Sequence, residues 1–339
     1  MHLTLSIPGL SWLDAHDAAA VAADLSLPAL ATLLGRGRLT IAPCRRSVRL
    51  GAPFGLAQLP MAQAAADLDG LSTHGRYWLL ADPVTWRIDR DRALLADAGV
   101  MRIDRQEADA LIEALNRHFA DDGLLFHAPA PARWYVSLSA APDAGFHSLP
   151  DVVGENVDDF LPHGPDGLML SRMLNEAQML LFTHPVNEAR EARGEPRINS
   201  LWLWGAGELP PLMRSAALYS DQPLQAVLAQ LDGGEARAVP WSFAALEAET
   251  PWPASAWVEL DRLLGAAQYR DSWGWREALL VLEQDWFAPL LQALRQGSLR
   301  GVTLLSHGEL AIEAHVGRGD LWKFWRRPRT LSSLFETHA

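Results

Sequence analysis

His184-Pro185-Val186-Asn187-Glu188-Ala189-Arg190, followed closely by Ile198-Asn199-Ser200-Leu201-Trp202-Leu203-Trp204-Gly205-Ala206-Gly207, is the stretch on which the reading of this chain turns. Neither helical nor strand periodicity produces two such strings in succession, so they carry information beyond a hydrophobic pattern. Their surroundings are regular. Gly167 to Thr183 reads as a long helix with Leu168, Leu170, Leu174, Ala177 and Leu181 along one side, and Leu201–Trp204 reads as an apolar strand entering a glycine turn. Further upstream, Arg133–Ser139 alternates as a strand, and Asp104–Phe119 carries Ala108, Leu111, Ile112, Leu115 and Phe119 on one helical face, with Asp104 placed to cap it. Tyr77–Ala81 and Trp86–Leu95 read as two strands, and Met61–Leu68 as an Ala-rich helix. Near the N-terminus, Leu3–Ile7 is a strand closed by Pro8-Gly9, Asp14–Ala23 is helix-prone, and Leu27–Gly37 is a helix opened by proline and closed by glycine. Towards the other end, Trp275–Leu294 is a helix bent near Pro289, and Val302–Leu305 with Leu310–Glu313 closes a hairpin around Ser306-His307-Gly308-Glu309. His127–Pro131 and Thr250–Pro253 mark loops. This order implies an α/β fold interrupted by a smaller α+β insert.

The chain has 339 residues, 49% of them hydrophobic, enough for one large core or two moderate ones. A net charge of -12 argues against nucleic acid as a partner and disfavours an anionic membrane. The single cysteine, Cys44, excludes an intramolecular disulfide and fits a reducing compartment. The first residues lack the basic and apolar regions of a signal peptide, and no apolar run is long enough for a membrane span, so a cytoplasmic location is expected. The 14 tryptophans belong either to a Trp-rich core or to seams between domains or subunits.

The two strings quoted first resemble the archaeal-type, cofactor-independent phosphoglycerate mutases of the alkaline phosphatase superfamily. They look still closer to a bacterial group labelled RpfE-type regulatory proteins. Ala81–Arg92 resembles the segment where those mutases leave their core. Arg133-Trp134-Tyr135 is similar to a strand of their insert, Asp158-Asp159 with Pro162-His163 to an acidic loop, and Leu174-Asn175-Glu176-Ala177 to the helix before the signature. The resemblance implies an alkaline phosphatase-like core, a mostly parallel sheet between helices, over 1–95 and 200–325. It implies an inserted mutase-type domain over 96–199 and a C-terminal tail over 326–339.

That superfamily works with two divalent cations, Mn²⁺ or Zn²⁺, which activate a hydroxyl nucleophile and stabilise the transferring phosphoryl group. Its first ligand is an Asp in an Asp-Gly-Leu string, and here Pro8-Gly9-Leu10 stands in its place. The nucleophile segment matches Pro60–Ala66, which has no Ser or Thr. The remaining ligand positions reduce to Asp271 and His307. A degenerate, non-catalytic site without metal cofactor is therefore expected, with a regulatory or anion-binding role. The alternative is a Mn- or Zn-dependent mutase or phosphohydrolase with rearranged ligands. Residual metal candidates are Asp14 and Asp17, otherwise a solvated helix turn, and Asp271 and His307, otherwise ordinary loop residues. The resemblance points to Arg133, Asp159, His163, Asn187 and Arg190 as ligand-binding residues for a phosphorylated small acid, unless Asn187 caps a turn and Arg190 pairs with a carboxylate. Finally, Leu321–Arg329 is a basic, aromatic run. It docks a protein partner, a second copy or a membrane surface, or its tryptophans pack onto the core. The last is the plainer expectation.

Overall fold

In the computed structural model, every residue is described except 13, 15, 90, 91, 97–100, 250, 251 and 339, and except the side chains of 87–89, 92–94 and 338. Among the described residues the strands are β1 (His2–Ser6), β2 (Arg38–Ile41), β3 (Tyr77–Asp89), β4 (Arg92–Ala96), β5 (Leu125–Ala130), β6 (Arg133–Leu138), β7 (Ser200–Trp204), β8 (Ala217–Tyr219), β9 (Ser255–Glu259), β10 (Gly301–Leu305) and β11 (Ile312–Gly317). They form two sheets in two compact units, Met1–Ala57 with Leu212–Ala339, and Gln58–Pro211.

In the first unit the sheet order is β2-β11-β10-β1-β9-β8. β1 runs parallel to both β10 and β9, and β9 parallel to β8; only β11 and β2 are antiparallel. Strands buried on both faces need apolar residues throughout, and all five residues of β10 are buried. Helix Pro28–Arg36 contributes Leu30, Leu33 and Leu34 to this core, and residues 272–296 contribute Leu279, Leu282, Trp286, Phe287, Leu290 and Leu294. The expected bend near Pro289 is a π-helical turn, Glu283–Phe287, between helices Ser272–Leu282 and Ala288–Gln296. Proline lacks an N–H and collides with the carbonyl one turn back, so the helix widens just before it. That turn places the Glu283 carboxylate on the backbone N–H groups of Ala29 (2.6 Å) and Leu30 (3.1 Å). It thereby caps helix Pro28–Arg36, whose own cap residue, Leu27, cannot.

The second unit is α+β. β3 is central, antiparallel to β6 over Tyr77–Leu80, to β7 over Leu80–Val84 and to β4 over Thr85–Asp89. Helix Arg105–His118 starts at the expected cap: Asp104 accepts the Glu107 N–H, and Glu107 accepts the Asp104 N–H in return. Helix Gly167–Phe182 buries Leu170, Leu174, Ala177 and Leu181, but Leu168 of the expected stripe is exposed.

Several expectations need correction. The two strands expected at 77–81 and 86–95 are one long strand and a short one, with Arg90 and Asp91 outside the described residues. Pro83 is tolerated inside β3 because it lies past the last β6 pairing and before the first β4 pairing, where one side has no ladder to break. His127–Pro131, expected as a loop, is mostly β5, with a register irregularity between His127 and Ala130. Thr250 and Pro251, also read as loop, lie outside the described residues. The helix expected over 14–23 is reduced to Ala18–Val21, and Asp24 has a left-handed backbone. The two compact units divide at 57/58 and 211/212, and hydrogen bonding holds β3, β6 and β7 in one sheet of the second unit. Near the C-terminus, helix Leu331–His338 buries Leu331, Leu334 and Phe335 in the core of the first unit.

Candidate functional site

Parallel strands gather their carboxyl ends at one edge of a sheet, the usual place for a site in an open α/β fold. In the first unit β1 ends at Ser6, in register with Glu259 of β9 and Leu305 of β10, which is followed by Ser306 and His307. Glu259 is 2% exposed. Burial pushes its carboxyl up to about 7, against the Ser6 hydrogen bond, the Arg46 charge and the Trp257 indole, which donates at 3.4 Å.

Helix Arg46–Gly51 brings two guanidinium groups to this edge. Arg46, itself buried, donates to Gln222 Oε1 at 3.1 Å, and Gln222 Nε2 donates to Asp261 Oδ2 at 2.7 Å. Arg49 Nε donates to the Ser306 carbonyl at 2.8 Å and its terminal nitrogen pairs with Glu313 at 3.3 Å. Ser306 is fixed from both sides, 2.8 Å from the Ser11 hydroxyl and accepting the Ile312 N–H at 2.7 Å. His307 retains some exposed surface yet is enclosed by its neighbours. Burial, then the Arg46 and Arg49 charges, brings its imidazole down to about 3, so it is neutral at physiological pH.

This donor set does not suit a pair of divalent cations. Such ions need several convergent carboxylates or imidazoles, and the carboxylates here face arginines and a glutamine. Among the described residues no three His, Cys, Asp or Glu side chains gather as a metal-holding group. Asp14 accepts the His16 N–H in a local turn at 3.0 Å. Asp17 accepts the Trp12 indole N–H at 2.8 Å. Asp271 caps helix Ser272–Leu282 by accepting the Gly274 N–H at 2.9 Å. Each is occupied with local structure, and only His307 lies at the carboxyl edge. Helix Ala62–Leu68, which carries no hydroxyl, belongs to the other unit.

The expected ligand-binding residues of the second unit fall into four separate settings. Arg133 forms a bidentate pair with Asp69, whose carboxylate also accepts the Tyr135 hydroxyl at 2.7 Å. Asp159 accepts an amide N–H from Asn156 at 3.3 Å. His163 is exposed, bridges to Gly145 through its backbone and lies 5.5 Å from the His147 ring.

Asn187 and Arg190 are fully buried. The Asn187 amide donates to the carbonyls of Leu181 and Ile198, both at 2.8 Å, and accepts the Ile198 N–H at 2.7 Å. Arg190 donates to the Pro196 carbonyl (2.8 Å), Glu107 (2.5 Å) and the Met101 carbonyl. Every polar group of Asn187 and every nitrogen of Arg190 is thus engaged inside the fold. The rest of the signature is local too: the His184 ring accepts the Val186 N–H at 3.2 Å and Pro185 opens helix Pro185–Ala192.

Sequence reasoning missed Glu259, Arg46, Arg49 and Gln222. The one available signal was Arg45-Arg46-Ser47-Val48-Arg49, a basic run in an acidic chain.

The molecule is therefore of the α/β class, with a mostly parallel sheet whose carboxyl edge carries a buried polar site, joined to an α+β unit. Residues 77–187 match the family model of 2,3-bisphosphoglycerate-independent phosphoglycerate mutase, so over that stretch the chain is mutase-like. The mutase of Methanosarcina mazei is 29% identical over 149 residues, 42% of this chain and 38% of that protein. The mutase of Methanosarcina acetivorans is 30% identical over 146 residues, 42% of this chain and 37% of that protein. The alignment thus spans well under half the length of these curated relatives. In fold, the chain is similar to the PH0037 protein from Pyrococcus horikoshii, with a TM-score of 0.52 at 14% identity over 98% of this chain and 91% of that one. No described helix is long and apolar enough to cross a membrane.

Proposed function

We propose that this chain is a phosphoglycerate mutase-like protein that does not catalyse two-metal phosphoryl transfer and acts instead as a regulatory, anion-binding protein, in keeping with its resemblance to the RpfE-type group. The observation that carries the proposal is the pair Arg46 and Arg49 beside neutral His307 at the carboxyl edge of the parallel sheet. Guanidinium groups repel divalent cations and favour carboxylate and phosphate oxygens. Pro8 after β1, and the use of Asp271 as a helix cap, remove two further donors from the expected metal set. A phosphorylated three-carbon acid is the ligand class that suits such a site.

Calorimetric titration of metal-stripped protein with Mn²⁺, paired with titration by 3-phosphoglycerate, tests the reading. The expected result is no Mn²⁺ uptake and a phosphoglycerate isotherm weakened by Arg49→Gln. Tight uptake of two Mn²⁺ per chain together with mutase or phosphatase turnover would establish the rearranged-ligand enzyme instead.

A further inference from the structure

The segment Leu321-Trp322-Lys323-Phe324-Trp325-Arg326-Arg327-Pro328-Arg329 is firmly held, yet its aromatic side chains are in water. Arg326 donates to the Gly37 carbonyl at 2.9 Å, the Arg329 N–H to the Ala31 carbonyl at 2.9 Å, and Arg36 to the Leu321 carbonyl at 3.3 Å. The backbone of Arg327–Arg329 lies against Gly35 so closely that a Cβ there would sit 2.2 Å from the Arg327 oxygen. Helix Leu331–His338 then anchors the segment's far end through Leu331, Leu334 and Phe335. Against the expectation that the tryptophans pack on the core, Trp322, Phe324 and Trp325 are 77%, 80% and 68% exposed. Fixing three large apolar rings in water costs stability unless something covers them in use.

The charge along this segment is predominantly positive. Lys323, Arg326, Arg327 and Arg329 fall in a stretch with no carboxylate between Asp320 and Glu336. Asp320 pairs with Lys323, and among the described residues Arg327 and Arg329 make no salt bridge. The chain's overall acidity does not cancel this patch, because charges more than about 8 Å away are screened at physiological salt.

We propose that this loop docks the protein peripherally on an anionic lipid surface. Trp322 and the Phe324–Trp325 pair, whose rings meet edge to face at 5.3 Å, suit the headgroup boundary, which accepts exposed Trp and Phe side chains while neighbouring arginines reach phosphate oxygens. A folded partner would need a broad complementary face of about 1,000 Å² or more, which a single convex loop does not offer.

The test is flotation of the full chain with phosphatidylcholine vesicles, with and without phosphatidylglycerol, at physiological salt. Wild type should float with the phosphatidylglycerol vesicles and not with phosphatidylcholine alone. Arg327→Glu/Arg329→Glu should lower partitioning by at least roughly 25-fold, from the contribution of each basic residue near such a surface. Trp322→Ala/Trp325→Ala should lower it as well. Both variants alter exposed side chains and should keep the wild-type melting temperature and far-ultraviolet spectrum. The proposal fails if wild type stays with the soluble fraction, or if flotation survives both variants. It fails equally if, without vesicle binding, these variants dissolve a dimer or abolish binding to an acidic polypeptide, because the occupant is then protein.

Discussion

Glu259 and His307 titrate in opposite senses within one site, so mutation can separate their contributions to stability. Burial raises the Glu259 carboxyl from its ordinary 4.5 to about 7, so the folded state holds that proton more tightly than the unfolded chain. Its contribution is fully present below pH 4.5 and is lost as pH rises through 7. His307 falls from 6.5 to about 3, through burial and then the two arginines. Its contribution is present above pH 6.5 and is lost as pH falls towards 3. Each slope is roughly 1.4 kcal/mol per pH unit, so in wild type the two nearly cancel between their overlapping limits. Glu259→Gln removes one slope. The stability of the variant relative to wild type should therefore rise by about 3.5 kcal/mol from pH 4.5 to pH 7, the product of that slope and the Glu259 shift. His307→Asn should act in the other direction, improving relative to wild type by about 2 kcal/mol between pH 6.5 and pH 5. Urea unfolding followed by far-ultraviolet circular dichroism across this range measures both. If wild type and Glu259→Gln lose and gain stability in parallel at every pH, the account of the buried carboxyl is wrong.

Two substitutions probe the fold directly. Asn187→Ala removes three buried hydrogen bonds and leaves the Ile198 N–H unpaired, so it should destabilise the protein by about 2–4 kcal/mol in urea unfolding. A phosphoglycerate isotherm weakened with stability unchanged would instead make Asn187 a ligand group. Gly35→Ala drives a Cβ into the backbone at Arg327 and should lower the melting temperature and expose residues 326–329 to proteolysis. A wild-type cleavage pattern would show that the segment is not anchored as described.

The second unit was legible from sequence to a degree that the site was not. Asp104 and Glu107 form their capping box three residues apart, and the apolar face of helix Arg105–His118 follows from its own spacing. The signature at 184–190 proves to be a set of packing instructions, with a helix cap, a first-turn proline and two buried clamps. The sheet to which β3 and β7 belong was not legible from their own residues, and only their pairing with β6 and with each other assigns them.

What the sequence by itself determined was local or subtractive: helices from their periodicity, turns from proline and glycine, and the absence of a carboxylate at Pro8 and of a Ser or Thr hydroxyl across Pro60–Ala66. What only the tertiary structure decided was which charges meet. Glu259 faces Ser6 and Arg46 from distant parts of the chain, and Arg49 holds the Ser306 carbonyl across the sheet edge. It also decided that Trp322, Phe324 and Trp325 stay outside a core that takes Trp275 and Trp286. The physical reason is that helix and turn preferences are set by neighbours along the chain, whereas burial and electrostatic partners depend on strand order and on which backbone segments block one another, as Gly35 and Arg327 do.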